Sequence, residues 1–381
     1  MQIPSEFDAI RPFEPEELQG VYDRLLADER FLGVIDTLYP GVPLEAVAQQ
    51  LRGCKDNLTF QKIFAYPFLK GIISAHANGA EMNVDAIDIS KRHTFISNHR
   101  DIVLDSAFLS MLLLDVGCST TVEIAIGDNL LAYEWIRDLV RVSKAFIVQR
   151  SLTPREFLAS SKRMSEYMHY VIGTKNDNIW IAQREGRAKD SNDLTQPSIL
   201  KMMCMGGTGT AKQRLAELRL CPLAISYEYD PCDYLKAKEF QLKRDTDYKK
   251  TKTDDVKNMN TGIFGYKGHV HYHCAPCIND WLDTLPEDMP KGEFFETVAD
   301  HISREIHRNY MIYPSNRIAL DMLEGTNLGG YTQQEADEFS KYLDTQLSKI
   351  DLDTPDVPYL RDCILRMYAN PLKNHIAATS K

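Results

Sequence analysis

Five short apolar runs constrain what this chain can fold into. They are Thr94-Phe95-Ile96-Ser97, Val122-Glu123-Ile124-Ala125-Ile126, Ala145-Phe146-Ile147-Val148, Ile179-Trp180-Ile181-Ala182 and Pro222-Leu223-Ala224-Ile225-Ser226. Runs this short and this apolar read as strands buried on both faces. Helical spacing separates them, over about Val103 to Leu114, Leu130 to Val140, Leu194 to Met205 and Lys212 to Leu218. The helix after the third strand is punctuated: Thr153 as cap, Pro154 in the first turn, Glu156 completing a capping box, and Gly173 as the expected stop. Strands alternating with helices predict an α/β fold, a mostly parallel or mixed sheet flanked by helices.

Outside this alternation the chain reads as helix. Leu18 to Leu26, Leu44 to Leu51 and Phe60 to Ala75 precede it, and Phe294 to Asn309, Asn316 to Leu323 and Gln333 to Leu347 follow. The expected organisation is an N-terminal helical region (1–90), an α/β domain (91–280) and a C-terminal helical region (281–381). Lys236 to Lys257 is a mixed-charge run, expected as a solvated loop or exposed helix.

A net charge of −10 argues against nucleic acid as a partner, so any anion site must be a local basic cluster. The N-terminus has neither the basic nor the apolar region of a signal peptide. Ser106 to Leu114 is too short to cross a bilayer. The eight cysteines (54, 118, 204, 221, 232, 274, 277 and 363) are scattered and read as reduced core residues. A cytoplasmic location follows as the expectation.

In parallel sheets, chemistry gathers where strands end at their carboxyl side. The first strand delivers Asn98-His99-Arg100-Asp101-Ile102-Val103-Leu104-Asp105 to such an end. A neutral imidazole there can take a proton from a hydroxyl, and a nearby carboxylate, Asp101 or Asp105, can fix its tautomer. The third strand delivers Arg150, the fourth Glu185, Gly186, Arg187 and Lys189, and the fifth Glu228. Arginines suit bidentate capture of a phosphate, and a glycine lets backbone approach a ligand.

The order Asn-His-…-Asp, Phe-Ile-x-x-Arg, Glu-Gly-x-x-Lys, Pro-Leu-x-Ile resembles the four blocks of the glycerolipid acyltransferase superfamily. That group includes the glycerol-3-phosphate and 1-acylglycerol-3-phosphate acyltransferases. Ile124 to Leu130 also resembles a segment found mainly in the branch that acylates glycerol-3-phosphate. The likeness covers about residues 94 to 280. One departure stands out: the family's spacing would select Leu104, whereas here Asp105 lies one residue further and Asp101 nearer. Asp105 is the favoured partner, because a turn absorbs one extra residue more easily than a helix changes face. The third block also carries Gln183-Arg184 where the family often has an apolar residue and Pro.

The resemblance implies transfer of a fatty acyl group from a thioester, on acyl carrier protein or coenzyme A, to a hydroxyl of glycerol-3-phosphate or 1-acylglycerol-3-phosphate. His99 would be the base and Asp105 its orienting partner. Arg150, Arg187 and Lys189 would hold the acceptor phosphate. Glu185 would orient those cations or hydrogen-bond the glycerol hydroxyls, and Gly186 would let the backbone approach the ligand. Arg150 and Arg187, on strands expected to be neighbours, should converge on one anion. No cofactor, metal or covalent enzyme intermediate is needed. Another lysolipid, such as an amino-acid-derived one, is the alternative acceptor. Lipid substrates imply a peripheral contact with the inner face of a membrane, and an apolar groove formed by the N-terminal helices and the Phe108 to Leu114 helix.

Two further signals compete. His99-Arg100-Asp101 matches the opening of a kinase catalytic loop, but Ser106 stands where that loop needs Asn and no glycine-rich nucleotide loop precedes it. His269-Val270-His271-Tyr272-His273-Cys274-Ala275-Pro276-Cys277 places three histidines on one strand face with two thiols nearby. It defines the rival class, a non-catalytic metal- or lipid-binding protein. Against it, the segment follows Tyr266-Lys267-Gly268 as an ordinary hairpin strand would.

Overall fold

A computed structural model describes residues 2–39, 41–131, 133–150 and 153–380. Its centre is a seven-stranded mixed sheet: β1 (Gly79–Asn83), β2 (Thr94–Ser97), β3 (Val122–Gly127), β4 (Ala145–Val148), β5 (Asn178–Ala182), β6 (Leu220–Tyr227) and β7 (His269–Cys274). The spatial order is β1-β7-β6-β2-β5-β3-β4. Strands β6, β2, β5, β3 and β4 are mutually parallel, β7 runs antiparallel to β6, and β1 pairs parallel with β7. The fold is α/β, and all five expected strands are present.

Alternation along the strands gives the sheet two packed faces. Ile96, Phe146, Ile179, Ile181 and Ala224 meet the helices Pro154–Tyr170, Pro197–Met203, Ala211–Leu218 and Lys291–Arg308. Phe95, Ile124, Trp180, Leu223 and Tyr272 meet Leu104–Asp115 and Tyr66–His76. Burial on both faces is why these strands read as near-continuous apolar runs. Helices Leu18–Ala27, Glu29–Leu38 and Leu44–Gly53 form a separate cluster against Val142. Pro314–Glu324, Gln333–Ser348 and Val357–Thr379 form another against Ala237.

Four expectations are corrected. Strand β1 lies in the stretch read as helical; it is an edge strand of Gly, Ala, Glu, Met and Asn, without the β-branched residues that announce a strand. Gly173 does not stop its helix. The chain continues through a wide turn, Val171–Lys175, and the left-handed residue is Asn176 (φ 57°). The Lys236 to Lys257 run takes the helical alternative, in Asp233–Asp245 and Lys252–Phe264. The first of these helices is not an exposed one, since Leu235, Ala237, Glu239 and Gln241 are buried. Lys236 itself is buried, because its ammonium finds the Asp230 carboxylate and the Arg100 carbonyl. Finally, β7 is antiparallel to β6 but is not the second arm of a hairpin, since both of those helices intervene.

The cysteines are all free, and seven of the eight are buried. Among the described residues, no helix is long and apolar enough to cross a membrane.

Candidate active site

The turn after β2 is clamped before it reaches His99. Asn98 donates through Nδ2 to the Ile225 carbonyl and accepts at Oδ1 from the Ile225 N–H, both at 2.8 Å. One side chain thus extends the β2–β6 ladder beyond its last strand residue. The His99 ring lies edge-on to Trp180 at 5.6 Å between centroids, and Trp180 Nε1 is fixed by the Ser97 hydroxyl at 2.9 Å.

His99 Nδ1 stands 2.8 Å from Asp105 Oδ2. The same oxygen accepts from the N–H groups of Arg100 (2.6 Å) and Asp101 (3.1 Å). Three donors on one oxygen hold Asp105 in the first turn of the Leu104–Asp115 helix, aimed back at the imidazole. The Asp105 side chain is 1% exposed and that of His99 14%. With Nδ1 as donor, Nε2 is left to accept a proton.

Asp101 has a different task. Its Oδ1 accepts from the N–H groups of Val103 and Leu104, both at 2.8 Å, so it caps the helix entry. Burial, with the nearby Asp105 charge adding to it, raises its pKa. Arg100 turns away from the pair to Asp193 (2.8 Å), under the Tyr310 ring.

The cations do not gather as expected. Strand β3 lies between β4 and β5, so Arg150 and Arg187 do not follow neighbouring strands. Arg150 packs over Gly127 and reaches Glu185 at 3.3 Å, both on the surface. Arg187 donates to Asn258 Oδ1 (3.1 Å), and its Nη1 is buried without a partner among the described residues. Lys189 joins neither; it pairs with Glu239, and burial pulls its ammonium down to about 8 despite that partner. Gly186 adopts φ 68° with open space around it, so its backbone conformation, not crowding, calls for glycine.

The Lys252–Phe264 helix lies across this region. Asn258 holds Arg187, a side chain at Gly262 would collide with the Asp101 carboxylate, and Met259 lines an apolar cavity. Sequence reasoning missed all three. A glycine inside a helix, unfavourable by about 1 kcal/mol, was the one available signal of a close approach at Gly262. Lys267, just beyond the helix, is fully buried on the carbonyls of Ile263 and Gly265. Burial pulls its pKa down to about 8.

The expected apolar groove is present as a cavity of about 310 Å³. It runs from Ile102 and Val103, just after the His99 turn, past Met111 and Leu114, to Phe31 and Leu51 of the N-terminal helices. Its volume falls at the lower end of small-molecule sites, roughly 300–1,000 Å³.

On β7, His269 is exposed, His271 Nδ1 contacts Glu81 (3.1 Å) and the His271 and His273 rings are 5.9 Å apart. Cys274 is buried and Cys277 bonds Asn279. Among the described residues, no three His, Cys, Asp or Glu side chains are grouped so as to hold a metal.

No family model and no curated protein matches this chain. Among solved structures it is similar to PlsC, the 1-acyl-sn-glycerophosphate (LPA) acyltransferase of Thermotoga maritima. That match has 9% identity over 78% of this chain and 98% of the other, with a TM-score of 0.40. The match is too loose to carry residue roles or chemistry.

Proposed function

We propose that this protein is an acyltransferase that moves a fatty acyl group from a thioester to a hydroxyl of a glycerol-phosphate acceptor. The observation that carries the reading is the His99–Asp105 pair at a strand end, 2.8 Å apart and nearly buried, with the flanking residues Ile102, Val103, Leu104 and Ser106 lining an apolar cavity.

In the proposed reaction His99 Nε2 takes the acceptor hydroxyl proton while Asp105 orients the ring and stabilises the imidazolium. The alkoxide oxygen bonds to the thioester carbonyl carbon. The tetrahedral intermediate then expels the thiolate, which takes the proton back from His99. The acyl chain lies in the cavity, and Arg187 Nη1 supplies a free donor for the acceptor phosphate, with Arg150 and Glu185 at the rim. The donor is acyl carrier protein or coenzyme A. The enzyme meets its lipid at a membrane surface on the cytoplasmic side.

One observation favours a second acceptor. Arg150 and Lys189 already face Glu185 and Glu239, which fits a lysolipid carrying no phosphate. A matrix of acceptors (glycerol-3-phosphate, lysophosphatidate, amino-acid lysolipids) against both donor types, scored by product mass, tests the reading. Acylation of the phosphate acceptors supports the first form, and acylation of the phosphate-free ones alone the second. Thioester turnover with none of them would overturn both.

A further inference from the structure

A second cavity, of about 320 Å³, opens between the start of the Ala211–Leu218 helix and the start of the Lys291–Arg308 helix. It matches the apolar cavity in size and differs in lining. Three cations, Lys212, Arg214 and Lys291, and one carboxylate, Glu287, share it with Met289 and Phe294.

The charges do not cancel. Lys212 is spent: its ammonium donates to the carbonyls of Asp283 (3.5 Å) and Leu285 (3.2 Å) and pairs with Glu287 Oε1 at 2.9 Å. That pair neutralises the one acid. Arg214 gives Nε to the Gly209 carbonyl (3.0 Å) and Nη1 to the Cys204 carbonyl (2.8 Å), while its Nη2 has no partner among the described residues. Exposed Lys291 has no partner among them either. Both cations act on one neighbour, the Cys204 thiol, which burial nevertheless pushes up to about 12, so it stays neutral. Three cations against one carboxylate leave this lining a surplus of two positive charges, in a chain of net charge −10. An arginine already held by two carbonyls also loses little freedom when it binds an anion.

We propose that this cavity is a second binding site, for a phosphomonoester dianion that carries a small apolar or aromatic group. The dianion matches the surplus, Arg214 and Lys291 hold the phosphate oxygens, and Met289 and Phe294 take the apolar part. The site is remote from His99. Lys291 begins a helix of 18 residues, about 27 Å long. Beyond its other end the Met311 N–H meets the Ser226 hydroxyl near the carboxyl end of β6 (3.1 Å). The inference does not depend on the acyltransferase reading.

The test is calorimetric titration of the full chain with phenyl phosphate, inorganic phosphate and phenol. Parallel titrations of Arg187→Ala remove the proposed acceptor-phosphate site. Phenyl phosphate should bind once per chain in both proteins. Inorganic phosphate should bind at least about fivefold more weakly, for want of an apolar part, and phenol not detectably. Lys291→Glu should weaken phenyl phosphate roughly 10- to 100-fold, as loss of a charge-assisted bond does. Glu287→Gln, which frees Lys212, should tighten it roughly 2- to 5-fold. Both residues are exposed, so both variants should keep the parent's Tm. No saturable binding at millimolar phenyl phosphate would overturn the inference. So would binding that is lost in Arg187→Ala, or that ignores both Lys291→Glu and Glu287→Gln.

Discussion

Asp105 and Asp233 are both fully buried carboxyl groups with several hydrogen bonds each, yet they do opposite things. Asp105 faces an imidazole and two backbone amides, between Leu104 and Ser106, which line an apolar cavity. Asp233 faces the hydroxyls of Tyr342 (2.7 Å) and Tyr368 (2.8 Å) and the amide of Gln346 (2.5 Å), and so ties the two last helices to Asp233–Asp245. Burial and bond count do not separate them. The partner does: an imidazole can pass on a proton, whereas phenols and an amide locked between helices can only hold still. Activity should therefore answer to Asp105, and stability to Asp233.

The largest expected effect lies with the first group. His99→Ala should lower turnover by about two to four orders of magnitude with little change in Tm, measured on the same preparation by product mass and thermal melt. Asp105→Asn should cost about two to three orders, since the amide cannot hold the same tautomer. Asp101→Asn should leave turnover within a few-fold and cost about 1 kcal/mol or less of stability, as a weakened cap. The reverse ranking of the two aspartates would move the orienting role to Asp101.

Arg187→Ala comes next. Loss of a charge-assisted bond is worth about 1.5–3 kcal/mol, so the acceptor KM should rise roughly 10- to 100-fold while the donor KM stays put. Arg150→Ala should act less, because its pair with Glu185 is exposed and screened. Equal effects of both arginines on donor and acceptor would remove the phosphate from this corner.

Asp233 gives the smallest effect on activity and a distinct effect on stability. Burial, then the Asp230 charge, lift its carboxyl from the usual range to about 7, against three hydrogen bonds that lower it. The folded state then binds more protons than the unfolded chain between about pH 4 and 7, so this group's contribution falls by up to roughly 1.4 kcal/mol per pH unit as pH rises through that window. Asp233→Asn should remove the slope: the variant gains relative to the parent from pH 4 to 7 in denaturant melts, with turnover nearly unchanged. A parallel pH dependence of parent and variant would contradict the assignment.

The strands, their parallel pairing and the His99 turn were legible because apolar runs buried on both faces carry an unmistakable texture, and because a strand end is a fixed address. Local geometry sets Asp105, not Asp101, against His99 Nδ1, because Asp101 is consumed in capping. The arginine arrangement was illegible, because adjacency in a sheet does not follow chain order and β3 inserts between β4 and β5. The Lys252–Phe264 helix was hidden by its charges, which face outward along most of its length while Asn258 and Gly262 turn in. Cys274, Cys277 and the β7 histidines, dense in sequence, are divided between core, surface and loop.

The most direct test of the central claim is a single-turnover reaction of acyl thioester, acceptor and protein, comparing the parent with His99→Ala by intact-protein and lipid mass spectrometry. The parent should release one thiol per acylated acceptor with no acyl adduct on the protein, and His99→Ala should form neither product nor adduct on that timescale. A protein-bound acyl group that builds and decays, or a His99→Ala rate near that of the parent, would contradict the account.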